Sequence, residues 1–166
     1  MKNKRYSIRA LDASHQKNTF LCSIEALDDY IHHCTTQDKK RHLSITYVLN
    51  DEDENKVVGY YSLSSTSIEL TTLPDSIVNK LPCYQFLPAT LLGRLAVDIH
   101  YQHQGLGEIL LFDALKRAAE TSEIVASLAV IVEAINEKTC SFYQKYGFLP
   151  LAFNKLFLPM KLINKL

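Results

Sequence analysis

A short loop near the middle of the chain has the composition of an anion-binding site. It reads Gln102-His103-Gln104-Gly105-Leu106-Gly107 and joins an apolar run to a helical pattern. Its backbone N–H groups would therefore face a ligand at the positive end of a helix dipole. Gly105 and Gly107 lack a Cβ, so the backbone can approach phosphates closely and adopt dihedrals that other residues resist. The pattern predicts a diphosphate site, with a simple tight turn as the alternative.

The glycine spacing of this loop argues against the common nucleotide sites. The chain has neither the GxGxxG of dinucleotide-binding folds nor the GxxxxGK[ST] of nucleoside triphosphate loops at this position. A different diphosphate ligand is therefore indicated.

A second stretch of interest lies nearer the C-terminus and is rich in aromatic residues. It reads Phe142-Tyr143-Gln144-Lys145-Tyr146-Gly147-Phe148 and follows Asn136, a residue type that often caps helices. Gly147 stands where a left-handed helix C-cap would lie. The alternatives for Tyr143 are a functional phenol and a packed aromatic ring.

Hydrophobic periodicity predicts the elements that would hold these residues. Strands are predicted at Tyr6–Leu11, Ile45–Leu49, Val57–Leu63, Leu91–Asp98, Leu128–Ala134, Phe148–Phe153 and Leu156–Leu162. Helices are predicted at Ile24–Cys34, Gly105–Glu120 and Asn136–Tyr146, with a short one near Ile77 in the proline-rich connection Thr72–Pro88. The order indicates a mixed α/β chain, and we expect one domain over residues 1–166.

Composition excludes several classes of protein. The 18 basic and 18 acidic residues cancel, so net charge does not indicate a nucleic-acid partner. The four cysteines are far apart and form no CxxC pair, so we expect neither a disulfide framework nor a metal site, and a reducing cytoplasm fits best. No stretch reaches the ~18 apolar residues needed to span a bilayer, so no membrane partner is expected.

The loop and the aromatic stretch together resemble the GNAT acetyltransferase superfamily. The loop is similar to the Q/R-x-x-G-x-G/A signature of that family, and Asn136 with Phe142–Phe148 is similar to its N-x(5)-FYxxxGF element. The resemblance implies a GNAT fold. Its central mixed sheet has six to seven strands, two neighbouring strands of the sheet splay apart, and helices flank the sheet. The resemblance also implies acetyl-CoA as co-substrate and Tyr143 as catalytic residue. The cofactor-binding residues that it implies are Leu95, Ala96, Val97, Gln102, His103, Gln104, Gly105, Leu106, Gly107, Glu108 and Asn136.

In acetyl transfer the departing thiolate must be protonated, and a phenol with a reference pKa near 10 can supply that proton at neutral pH. A general base is harder to assign. Glu133 and His100 are candidates, and each is more often a solvated or satisfied polar side chain. An α-amine with a pKa near 8 needs little help from a base, so the substrate is expected to be an α-amine rather than a lysine.

The front of the chain resembles the GNAT toxins of bacterial toxin-antitoxin modules. Phe20–Tyr30 is similar to their F-x-C-G-x-x-x-L-D-x-[YF] stretch, and Leu92–Asp98 is similar to their L-G-R-L-A-V-D strand. Ser23 and His103 stand where those toxins usually carry glycine. The resemblance implies acetylation of the α-amine of aminoacyl-tRNA, a ribbon-helix-helix antitoxin and a homodimer. Candidate tRNA-binding cations are Lys39, Lys40, Arg41 and Arg94, and a solvated surface or an ion pair is the alternative for them.

Two other functions remain open at this point. One is a GNAT enzyme without toxicity that acetylates a small amine, a peptide or a protein lysine. The other is a module that binds acetyl-CoA without turnover.

Overall fold

The computed structural model describes residues 3–166 and has the predicted α+β fold class. Seven strands form one mixed sheet in the order β1-β2-β3-β4-β5-β7-β6. The strands are β1 Tyr6–Ala10, β2 Ile45–Asp51, β3 Lys56–Glu69, β4 Phe86–Val97, β5 Ala129–Glu133, β6 Leu149–Ala152 and β7 Lys155–Pro159. The helices are α1 Glu25–Asp29, α2 Thr35–Lys40, α3 Asp75–Val78, α4 Leu106–Ser122, α5 Glu137–Lys145 and α6 Met160–Ile163, with a π-helical turn at Tyr30–Cys34 between α1 and α2.

The described chain divides into two compact units. The first comprises the chain up to Ser64 together with Arg94–Ala114, and the second comprises Ser65–Gly93 and Leu115–Leu166. The prediction of one domain over the whole chain stays a prediction.

The first unit packs around aromatic side chains from the front motif and from β3. The ring of Tyr60 meets Phe20 edge-on at a centroid distance of 5.4 Å and stacks with Tyr30 at 6.3 Å. Gly59 lets α4 approach β3, because a Cβ at that position would lie 2.8 Å from Cδ1 of Leu110. The front motif that resembles the toxins is thus largely a packing motif.

The second unit has its own apolar core on the other strands. Its buried members include Ile68, Leu87, Ala89, Ala129, Ile131 and Phe157. Strand β4 runs parallel to β5 through Thr90, Leu91 and Leu92, and it continues to Val97 beyond the last of these pairs. The splay between two strands that the resemblance implies stays a prediction.

Several element boundaries differ from the sequence prediction, and β3, for example, runs to Glu69 instead of ending at Leu63. The first helix continues to Lys40 instead of ending at Cys34, and it closes with His42 at φ +56° as the left-handed residue of a Schellman turn. Strand β4 begins before Pro88, whose carbonyl accepts a hydrogen bond from the amide of Leu128 at 2.8 Å. The predicted last strand is wrong after Pro159, because proline cannot donate to the ladder and a helical turn follows.

Within residues 3–166, no helix is both long and apolar enough to cross a membrane. The same part of the chain contains no group of three or more His, Cys, Asp or Glu side chains that could hold a metal ion.

Candidate functional site

The glycine loop lies in the first unit between β4 and α4, as predicted. A 3₁₀ turn at Ile99–Tyr101 follows β4, and α4 begins at Leu106. Gly105 has φ +77°, and no heavy atom lies within 4 Å of the place where its Cβ would be. Gly107 lies in the first turn of α4, so the expectation of unusual dihedrals holds for Gly105 and is wrong for Gly107. The loop thus offers an open approach to backbone amides at the N-terminus of a 17-residue helix.

Asp98 fixes the start of this loop, a role that the sequence analysis did not assign. Its side chain is fully buried and accepts hydrogen bonds from the amides of Leu21 at 3.2 Å and His100 at 3.0 Å. The amide of Ile99 in turn donates to the carbonyl of Leu21 at 2.8 Å. The front motif therefore supports the loop from behind. An aspartate that directly follows an apolar strand and can accept from an amide two residues on is the sequence signal that could have found it.

Gln102 turns its side chain toward the protein. Its Nε2 donates to the carbonyls of Val97 at 3.0 Å and Cys22 at 3.4 Å. The first residue of the signature thereby ties the loop to β4 and to the front motif. His103 and Gln104 are exposed, and His103 adopts φ +60°.

Tyr101 anchors the loop on its other side. The residue is buried, and its hydroxyl lies 3.1 Å from Oε2 of Glu54 and 3.4 Å from Oδ2 of Asp51. The ammonium groups of Lys4 and Lys56 lie 4.5 Å and 5.5 Å from its ring centroid. Burial acts to raise the pKa of Asp51, but hydrogen bonds from Lys4 and two amides outweigh it and lower that pKa. The charged groups of Lys4, Asp51 and Glu54 thus hold Tyr101, which directly precedes Gln102 in the chain.

The strand residues expected to meet the coenzyme arm precede the loop directly. Ala96 is buried in the core of the first unit, while Leu95 and Val97 are half-buried. Leu106 is buried, and Gly107 and Glu108 are half-buried at the start of α4. The first unit therefore brings the cofactor candidates other than Asn136 into one continuous strand-loop-helix segment.

The candidate tRNA-binding cations fall into two places in the first unit. Arg94 lies over the ring of Tyr30, with its guanidinium carbon 3.4 Å from the ring centroid. Lys39, Lys40 and Arg41 are exposed at the end of α2.

Asn136 caps α5 in the second unit, as predicted. Its Oδ1 accepts hydrogen bonds from the amide of Thr139 at 2.8 Å and from the Thr139 hydroxyl at 3.0 Å. The residue is exposed. Gly147 ends the helix at φ +91°, which confirms the predicted left-handed C-cap.

Tyr143 is the buried residue of α5 and is held between two rings. Its exposed fraction is 5%. The centroids of Phe142 and Phe148 each lie 5.3 Å from its own. Burial raises the pKa of the Tyr143 phenol above its ordinary value, because a phenolate would be poorly solvated there. The hydroxyl therefore stays protonated at physiological pH.

The two candidate bases are both exposed. Glu133 lies at the end of β5 with a carboxylate oxygen 3.9 Å from Nζ of Lys155. His100 lies in the 3₁₀ turn before the loop.

The fold and these residues define an acetyltransferase. Residues 9–148 match the acetyltransferase (GNAT) family, and the chain therefore belongs to that family. It is an N-acetyltransferase, and its acetyl donor is acetyl-CoA.

Relatives within this family are toxins, which confirms the predicted resemblance. The chain is 28% identical to the probable toxin TacT of Sinorhizobium fredii, over 96% of this chain and 93% of that protein. The structure of AtaT complexed with acetyl-methionyl-tRNAfMet is 33% identical with a TM-score of 0.90, covering 97% of this chain and 98% of that one. A tyrosine-to-phenylalanine mutant of AtaT bound to the C-terminus of the antitoxin AtaR is 30% identical with a TM-score of 0.80, covering 96% and 95%.

Proposed function

We propose that this enzyme is a toxin that acetylates the α-amine of an aminoacyl-tRNA and so blocks translation. The observation that carries the proposal is the likeness to AtaT along nearly the whole chain, because AtaT was solved with acetyl-methionyl-tRNAfMet. An α-amine with a reference pKa near 8 is substantially neutral at physiological pH and needs little help from a base, which suits an enzyme whose two candidate bases, Glu133 and His100, are both exposed.

The proposed chemistry uses two parts of the chain for two tasks. The amides at Gly105 and the first turn of α4 hold the pyrophosphate of acetyl-CoA, and the backbone of Leu95–Val97 pairs with its pantetheine arm. The substrate nitrogen attacks the thioester carbonyl carbon, the new C–N bond forms and the C–S bond breaks. Tyr143 donates its phenolic proton to the departing sulfur, the surplus proton of the nitrogen passes to water, and Tyr143 regains a proton from water before the next turnover.

Tyr143 suits this acid role because of where its ring is held. The two flanking rings fix its orientation, and burial keeps it protonated. A tyrosine-to-phenylalanine mutant of AtaT has been solved, which supports a role for a tyrosine in this branch of the family. Asn136 is proposed to contact the coenzyme arm through the amide group that its capping oxygen leaves free to donate.

The partners follow the same reasoning. AtaT binds the C-terminus of the antitoxin AtaR, so we propose an antitoxin, of the ribbon-helix-helix type, for this enzyme. We also propose that the enzyme works in the cytoplasm as a homodimer. Lys39, Lys40 and Arg41 are proposed to contact tRNA phosphates, since they are exposed together.

A product assay tests the proposal. Purified enzyme is incubated with labelled acetyl-CoA and a mixture of charged tRNAs, and the esters are then hydrolysed and analysed by mass spectrometry. We expect N-acetylated amino acids with the unmodified enzyme and a strong loss with Tyr143→Phe. Acetylation of free amines, peptides or lysines with no N-acetyl amino acid from tRNA would overturn the tRNA assignment, and acetyl-CoA binding without any product would overturn the enzymatic one.

A further inference from the structure

A cleft separate from the acetyl-CoA segment lies within the first unit. Its volume is about 520 Å³, within the roughly 300–1,000 Å³ range of small-molecule sites. The segment that follows β1, the helix α2 and strand β2 form its walls. The polar residues that matter most are His15, Lys17, Thr35, Lys39 and Thr46, and none of them belongs to the cofactor-binding set.

Two residues of this cleft carry buried polar atoms without a partner. His15 is 7% exposed and Thr46 is 4% exposed. Within residues 3–166, neither Nε2 of His15 nor Oγ1 of Thr46 has a hydrogen-bond partner. Buried polar groups in folded proteins are nearly always paired, and these two orphans belong to residues that line one cleft, so a small side-chain movement would let a ligand in the cleft complete them.

The hydrogen bonding of His15 determines whether its unpaired nitrogen, Nε2, is a donor or an acceptor. The amide of Asp12 donates to Nδ1 at 3.1 Å, so the proton of the neutral ring sits on Nε2. The ring protonated on both nitrogens would also carry a proton on Nε2. The carboxylate of Asp12 lies 3.2 Å from Nδ1 and also accepts from the amide of Ser14 at 2.8 Å. In the neutral ring and in the doubly protonated ring, Nε2 therefore carries a proton and needs a hydrogen-bond acceptor.

A partly buried ammonium adds positive charge to the same cleft. Nζ of Lys17 donates to Oγ1 of Thr35 at 3.0 Å, a neutral partner. Burial lowers the pKa of Lys17, since the ammonium loses solvation there. An anion beside it would restore part of the lost stabilisation. Lys39 lines the same cleft from an exposed position on α2.

We propose that this cleft binds the phosphate group of a small molecule. His15, Lys17 and Thr46 supply at least three donors of different direction, which match the three free oxygens of a phosphate better than the two of a carboxylate. Because two of the donors are buried, the group must enter the cleft, whereas an RNA backbone would run along the surface. This site does not depend on which amine the enzyme acetylates.

The test is a titration with inorganic phosphate while saturating coenzyme A fills its own site. Thermal unfolding and calorimetry are followed against sodium chloride of equal ionic strength. We expect phosphate to raise the melting temperature in a saturable way and to shift the NMR signal of the His15 Hε1 proton. A melting curve and a His15 signal that respond to phosphate only as they do to chloride would overturn the proposal.

Variants locate the binding. Lys17→Gln and Thr46→Val are expected to weaken phosphate binding at least 5-fold each, while the exposed control Lys116→Gln leaves it unchanged. Equal binding in all three variants, or equal binding of acetate, would contradict the assignment. Because Lys39 is also proposed to contact tRNA, displacement of phosphate by deacylated tRNA is measured in Lys39→Gln, and displacement that persists there would assign the cleft to RNA and overturn a small-molecule ligand. If a variant fails to fold, the His15 signal of the unmodified enzyme decides the question.

Discussion

The glycine loop and helix α5 carry the proposed function by opposite means. The loop offers backbone amides, and its side chains Asp98, Tyr101 and Gln102 act as supports that hold the backbone in place. Helix α5 offers one phenol, and the rings around Tyr143 position it. The difference predicts that changes in the loop alter acetyl-CoA binding and that changes at Tyr143 alter the chemical step.

The two regions also differ in how they tolerate substitution. The loop depends on two residues in the left-handed region, His103 and Gly105, and on a fully buried carboxylate. Helix α5 depends on ordinary helix rules, an asparagine N-cap and a glycine C-cap. Stability effects should therefore be larger and more varied in the loop.

The largest expected effect is on the chemical step. Tyr143→Phe keeps the ring packing and removes the proton donor, so kcat should fall by about 10²- to 10⁴-fold with little change in the KM for acetyl-CoA. Initial rates at saturating substrates measure this. Tyr146→Phe is the control on the same helix, and an equal loss in both variants would mean that the hydroxyl of Tyr143 has no special role.

Removal of the Asp98 carboxylate should be the most damaging change in the loop. Asp98→Ala leaves the amides of Leu21 and His100 without their acceptor, so the free energy of unfolding should drop by roughly 2–4 kcal/mol. Urea unfolding measures the loss. Asp98→Asn keeps one acceptor oxygen and should lose about half as much. Equal stability of Asp98→Ala and the unmodified enzyme would refute the anchoring role.

A Cβ at Gly105 should weaken coenzyme binding. The residue has φ +77°, where a non-glycine residue costs about 1–2 kcal/mol, so the loop of free Gly105→Ala should relax to another conformation that acetyl-CoA has to reverse, and the KM for acetyl-CoA should rise about 10-fold. The kcat at saturation should change little. An unchanged KM would argue that the backbone at this position does not contact the coenzyme.

Glycine at the two departures from the toxin pattern should stabilise the protein. Ser23 and His103 have φ +74° and +60°. Relief of this strain exceeds the added flexibility of glycine, so Ser23→Gly and His103→Gly should each raise the free energy of unfolding by about 0.5–1 kcal/mol. Ser141→Gly within α5 is the matched control and should lower it by a similar amount. Denaturant midpoints that fall in all three variants would contradict the strain.

The smallest expected effect is on pH dependence. Because burial raises the pKa of Tyr143 above its usual value, the acid stays protonated through pH values at which an ordinary tyrosine with a pKa near 10 begins to ionise. Between about pH 7 and pH 9.5, any fall in the kcat of the unmodified enzyme with rising pH should also be seen in Tyr143→Phe. A fall seen only in the unmodified enzyme would mean that the phenol is less buried during turnover.

The sequence predicted the chemistry-bearing segments better than their supports. Local sequence patterns predicted the glycine loop and the helix after it, through glycine placement and hydrophobic periodicity. The same kind of pattern predicted the N-cap at Asn136 and the C-cap at Gly147. The bond of Asp98 to the amide of His100 is local and could have been predicted, but its bond to Leu21 and the contact of Tyr101 with Glu54 join residues far apart in sequence, which no local pattern reveals.

The predicted element boundaries were wrong where tertiary structure overrode a local sequence rule. Pro88 reads as a loop residue but lies in β4, where its carbonyl still pairs. The helix after Cys34 continues through a polar stretch with no apolar stripe, and it ends at His42, a residue that does not signal a C-cap.

The most direct test of the account separates binding from chemistry in three proteins. The dissociation constant for acetyl-CoA and the single-turnover rate with a charged tRNA are measured for the unmodified enzyme, Gly105→Ala and Tyr143→Phe. The account predicts that Gly105→Ala weakens binding at a nearly unchanged rate and that Tyr143→Phe binds normally and transfers slowly. Weak binding in Tyr143→Phe with an unchanged single-turnover rate would contradict it.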